Sequence, residues 1–175
     1  MTNHYVILIV EKELAMPRSL NLSPDFQDMI ECFIEEKVRF IVVGAYAMAV
    51  HGYVRATGDI DFFVQPTDDN AEKVYNALVR FGAPLAGIVQ QDFATEGTVF
   101  QMGLSPFRID IITKIEGVSF DEAWRDAVCP EGDVAKVPFL SLDQLIKNKK
   151  STGRDKDTVD ARKLERLLKE NNGSG

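Results

Sequence analysis

The hydrophobic period of this chain switches repeatedly between that of a helix and that of a buried strand, which excludes an all-helical or all-strand fold. Ser23-Pro24 offers an N-cap followed by proline at the first helical position. Phe26, Met29, Ile30, Phe33 and Ile34 then recur at helical spacing, to about Lys37. Phe40-Ile41-Val42-Val43 is a continuous apolar run of strand length, ended by Gly44-Ala45. The small apolar residues from Tyr46 to Val50 predict a short buried helix closed near Gly52. Asp59 to Val64 reads as the next strand, stopped by Pro66. Ala71, Val74, Tyr75 and Leu78 mark a second amphipathic helix with Gly82 as its C-terminal glycine. Thr98 to Met102 and Phe107 to Ile112 predict an antiparallel hairpin connected through Gly103 to Pro106. Ser119 with Glu122 is a capping box for a helix through Val128. Ser141 with Gln144 opens another to about Lys150, and residues 155–170 predict a final charged helix. The expected fold class is therefore α/β or α+β, with helices flanking a small mixed β-sheet.

Composition narrows the function classes. The 175 residues are 45% apolar and 27% charged, an ordinary globular balance for one domain. Cys32 and Cys129 are too few for a disulfide framework, so a reducing, cytoplasmic setting is expected, and no Cys/His spacing suggests zinc. The longest early apolar run, Tyr5 to Val10, is far short of the ~20 residues a spanning helix needs and reads as a strand in an N-terminal extension, residues 1–20. A core over 21–140, basic helices packed on it over 141–170 and a frayed tail over 171–175 complete the expected organisation. The net charge of −7 argues against a generally basic nucleic-acid-binding surface, but residues 144–169 carry a local excess of +5.

The chemistry centres on Asp59-Ile60-Asp61. Residues two apart on a strand share a face, so these carboxylates repel unless a cation or water sits between them. Such pairs hold Mg²⁺, which takes oxygen ligands. A solvated strand start is the plainer reading of the pair alone. Asp110, set among isoleucines in Phe107 to Ile112, needs a partner of its own: either a salt bridge with Arg108, its same-face neighbour, or a place in a metal site with Asp59 and Asp61. Gly44-Ala45, between a buried strand and a helix, lets a phosphate approach backbone N–H groups. Arg55 and Thr57 are candidates to face a phosphate from the following loop. Lys149, Arg154 and Lys156 are candidates from the basic segment, against the alternative that they are solvated or paired to Asp155, Asp157 and Asp160. His51 reads as a helix-end cap.

Gly44-Ala45, thirteen intervening residues, Asp59-Ile60-Asp61-Phe62 and the later Asp110 together resemble the DNA polymerase β-type nucleotidyltransferase superfamily. Val43 to Asp61, together with Leu142-Asp143-Gln144-Leu145-Ile146, Lys149 and Gly153-Arg154-Asp155-Lys156-Asp157, is similar to its small bacterial branch, which includes abortive-infection toxins. The resemblance covers residues 24–168. It implies a polymerase β-like fold and transfer of an NMP from a nucleoside triphosphate to a hydroxyl of RNA, protein or a small molecule, with release of pyrophosphate. It also implies that two Mg²⁺ (or Mn²⁺) are held by Asp59, Asp61 and Asp110, the catalytic and metal-binding residues. Gly44, Ala45, Arg55, Thr57, Lys149, Arg154 and Lys156 would bind the nucleotide. The second small residue, Gly or Ser in the family pattern, is Ala45 here, which leaves only backbone donors at that point. The alternatives are an antibiotic-type small-molecule nucleotidyltransferase and a weakly catalytic nucleotide-binding regulatory or antitoxin module. A haloacid dehalogenase-type phosphatase fits poorly, because here the acids begin the apolar strand instead of ending it.

Overall fold

The computed structural model describes residue 20, residues 22–131 and residues 136–173; the strand expected near residues 5–10 lies outside them. The element order is α1 (Pro24–Glu35), β1 (Phe40–Val43), α2 (Gly44–Val50), β2 (Asp59–Val64), α3 (Asp68–Phe81), a 3₁₀ turn (Gln90–Ala94), β3 (Val99–Met102), β4 (Arg108–Ile112), α4 (Phe120–Arg125), α5 (Leu142–Ser151) and α6 (Asp155–Gly173). The mixed α and β class expected from the sequence is present. The sheet has four strands in the order β1-β2-β4-β3, with β2 and β4 parallel and both outer pairs antiparallel.

Local chemistry explains most boundaries. The Ser23 hydroxyl accepts from the Phe26 N–H at 3.3 Å, with Pro24 in the first turn, so α1 starts where a side chain meets its free donors. Gly82 closes α3 in the left-handed conformation, φ 84°. Asn70 on α3 is buried and fully engaged: its Oδ1 accepts from the Arg39 N–H at 2.7 Å, and its Nδ2 donates to the carbonyls of Arg39 and Gln65 at 3.0 Å each. One side chain thus ties α3 to the start of β1 and the end of β2.

Several boundaries differ from the sequence reading. The helix opened by Ser119 and Glu122 stops at Arg125 instead of Val128, because Val128 exchanges backbone hydrogen bonds with Phe139 at 2.8 and 2.9 Å. The short second helix begins at Gly44 itself rather than Tyr46, and the last helix runs through Gly173 instead of ending at Glu170. The 3₁₀ turn falls in a stretch that carries no clear period.

The sheet separates the core from the site. Ile60 and Phe62 face one way, where Phe62 meets Phe33 of α1 and Phe40 with ring centroids 5.2 and 5.7 Å apart. Asp59, Asp61 and Phe63 face the other way, and Phe63 is covered by Phe120 of α4 at 5.1 Å. The acidic end of that second face remains open. On the outer side of β1, Val42 pairs with Pro138 and Leu140 through backbone bonds of 2.8 and 3.0 Å, so this sheet edge is covered. Among the described residues, no helix is long and apolar enough to cross a membrane.

Candidate active site

The register of β2 against β4 assembles the site. Asp61 lies beside Asp110, and Asp59 beside Arg108, on adjacent parallel strands. One carboxylate oxygen from each of Asp59, Asp61 and Asp110 lies within 4.8 Å of the others, so this group could hold a metal ion. Asp110 is buried, and the other two are half-buried.

Each acid has a distinct environment. Asp110 is gripped by the Arg108 fork, Nε to Oδ1 at 2.8 Å and Nη2 to Oδ2 at 3.0 Å, and Gln101 of β3 donates to Oδ2 at 2.9 Å. Asp59 accepts from the Thr57 hydroxyl at 2.7 Å and also pairs with Arg108 Nη2. The salt-bridge and shared-cluster readings of Asp110 therefore hold together: Arg108 joins two of the three acids and partly neutralises them. Asp61 accepts no hydrogen bond among the described residues. Burial, reinforced by the charges of Asp59 and Asp110, pushes its pKa up to about 7.

Gly44 makes room for Asp61. Its φ is 65°, and a Cβ at that position would stand 2.1 Å from Asp61 Oδ2. A Gly44→Ala variant should lose roughly 1–2 kcal/mol from the left-handed backbone alone. It should also displace the Asp61 carboxylate, so that the rise in melting temperature expected for the wild type with Mg²⁺ should be lost in the variant. Denaturant and thermal melts with and without the ion check both parts. A wild-type ion response would show that the Asp61 position is immaterial.

A cleft of about 900 Å³ opens over the acids. All ten residues singled out from the sequence line it: Gly44, Ala45, Arg55, Thr57, Asp59, Asp61, Asp110, Lys149, Arg154 and Lys156. They are brought together in different states. Ala45 is buried at the start of α2, where Gly44 and Ala45 open the helix. Thr57 orients Asp59. Arg55 pairs with buried Asp160, Nε to Oδ2 at 3.5 Å. Lys149 is buried and donates to Asp157 at 2.6 Å, so its charge is already matched inside the protein. Burial works to raise the Asp157 pKa, but the hydrogen bonds from Lys149 and Thr152 outweigh it and hold the group below its ordinary value. Arg154 and Lys156 are exposed at the rim. His51 caps α2 and shares a 2.9 Å hydrogen bond with the Leu140 carbonyl, outside the cleft lining.

Sequence reasoning did not identify Gln101 as a partner of Asp110, nor the link from Arg108 to Asp59. Gln101 sits on an edge strand whose exposed and buried residues alternate plainly, and nothing in that pattern marks it. The Asp59–Arg108 pairing depends on the strand register.

No protein-family model matches the chain, and no significant match is found among curated proteins.

Proposed function

We propose that the protein is a divalent-metal-dependent nucleotidyltransferase with a polymerase β-like fold, moving an NMP from a nucleoside triphosphate to a hydroxyl acceptor with release of pyrophosphate. The observation that carries the reading is the convergence of Asp59, Asp61 and Asp110 on one sheet face beneath a cleft that also contains the Gly44-Ala45 turn. The donor set fits Mg²⁺ or Mn²⁺: three hard carboxylates, one of them without a hydrogen bond among the described residues and raised in pKa by burial and by its acidic neighbours. When bound, such ions would neutralise phosphate charge and acidify an acceptor hydroxyl.

The chain's own residues would do the rest. Thr57 and Gln101 fix the orientation of Asp59 and Asp110 through the hydrogen bonds already described. Asp110 would take the proton of the acceptor hydroxyl. Backbone N–H groups at Gly44 and Ala45 would receive the departing phosphates, aided by Arg55 and, at the rim, Arg154 and Lys156. Positioning and charge complementarity would account for most of the catalysis.

The test is pyrophosphate release from nucleoside triphosphates with Mg²⁺ or Mn²⁺ and cellular RNA, protein or an aminoglycoside as acceptor. Asp59→Asn with Asp61→Asn should reduce it by at least about 10²-fold. Release of inorganic phosphate in place of pyrophosphate would contradict the reading.

One observation favours a second reading, a nucleotide-binding module without turnover. Arg108 already pairs with two of the three acids. Metal-dependent nucleotide binding without any pyrophosphate release would support it.

A further inference from the structure

Asp160 of α6 lies behind the cleft wall with its side chain 4% exposed. Its Oδ1 accepts from the Tyr53 hydroxyl at 3.1 Å. Its Oδ2 faces Arg55 Nε at 3.5 Å and Lys149 Nζ at 3.8 Å, and neither Oδ2 nor Arg55 Nε is satisfied by a hydrogen bond. Lys163 adds to the same corner, donating to the Tyr53 hydroxyl at 3.1 Å and lying 4.9 Å from the ring centroid. A single buried carboxylate thus fastens the loop after α2 at two residues, Tyr53 and Arg55.

The consequence concerns Arg55. Lys149 is committed to Asp157, and Arg108 to Asp59 and Asp110. Arg55 is held only along its Nε edge, and its terminal Nη1 and Nη2 groups have no hydrogen-bond partner among the described residues. It nevertheless lines the cleft. The loop from Tyr53 to Gly58 has no regular structure to fix it, so an unanchored arginine there would lose rotamer freedom on binding an anion. A back-anchored fork would bind with that cost already met and with two donor groups oriented together.

Building on the nucleotide-binding reading, we infer that Asp160 is a positioning residue. It holds Arg55 by the Nε edge so that the terminal nitrogens grip the polyphosphate of the nucleotide. Arg55 is the residue that touches the ligand, and Asp160 acts through it.

The test uses the full chain and a base-free probe, Mg²⁺-tripolyphosphate, followed by calorimetric titration. Arg55→Ala and Asp160→Asn should each weaken binding by about tenfold. The double variant should bind no more weakly than Arg55→Ala, because removing the anchor is silent once the fork is gone. Binding of Mn²⁺ alone should be unchanged in all three, a separation that general loss of structure would not produce. Wild-type affinity in Asp160→Asn, or a further comparable loss in the double variant, overturns the inference. If Asp160→Asn does not fold, Arg55→Lys carries the test: it keeps the charge but has no Nε, so it should bind as weakly as Arg55→Ala, and wild-type affinity would overturn the anchored fork. Mn²⁺ binding without tripolyphosphate binding in the wild type overturns this inference alone. Absence of both overturns the nucleotidyltransferase reading with it.

Discussion

In the metal-free protein, Asp61→Asn should raise stability at pH 8 by roughly 4 kcal/mol and change it little near pH 4. The wild-type carboxyl titrates at about 7 in the folded chain, against 3.8 as its ordinary value. Between those two values the folded state binds more protons than the unfolded state, so stability falls as pH rises through the window. The penalty is complete above pH 7 and absent below the unfolded value. A rise from 3.8 to about 7, at about 1.36 kcal/mol per tenfold change in acidity, gives the stated size. Asparagine carries no charge, and Asp61 accepts no hydrogen bond from the described residues, so the substitution removes the penalty without breaking a bond. Denaturant unfolding of both proteins across this pH range checks the prediction. A pH-independent difference would mean that the charge of Asp61 is not confined as described. Added Mg²⁺ should shrink the advantage of the variant, because a bound cation stabilises the charged form of the wild-type group.

The second large effect concerns Lys149. Its ammonium lies 2.6 Å from Asp157 and 3.8 Å from Asp160, all three side chains at or below 10% exposed. Lys149→Ala leaves two buried carboxylates without their shared cation and should cost about 3–5 kcal/mol. Replacing Lys149 by Met and Asp157 by Leu together should recover much of that loss, since an apolar pair of similar size has no charge to desolvate. Chemical denaturation of the single and double variants measures this directly. Near wild-type stability for Lys149→Ala, with a loss confined to nucleotide binding, would instead make Lys149 chiefly a phosphate ligand.

These two residues show what was legible in the sequence. Asp59 and Asp61 were, because alternation along a strand puts them on one face without reference to anything else. Asp110 was, because an acid inside an isoleucine run must have a partner. The expected hairpin of β3 and β4 is present, since each strand carries its own apolar pattern and the connection contains glycine and proline. For Lys149 the sequence left two roles open, a phosphate ligand or a partner for the neighbouring aspartates. The crossing of α5 against α6 buries it on Asp157 while it still lines the cleft, and that packing is a long-range property no local pattern shows. The Val128–Phe139 pairing that shortens α4 is likewise invisible to a local capping argument. The bond from Thr57 to Asp59 spans two residues, but a threonine in a polar loop has many partners open to it.

Asp59, Asp61 and Asp110 should act together as a divalent-cation site that serves a nucleotide. Titration of Mn²⁺ into the protein with a nucleoside triphosphate, read by the loss of the free-ion electron paramagnetic resonance signal, tests this most directly. The wild type should take up Mn²⁺ saturably, and Asp59→Asn with Asp61→Asn should abolish that uptake while retaining the native circular dichroism spectrum. Equal uptake by the double variant, or none by the wild type, would contradict it.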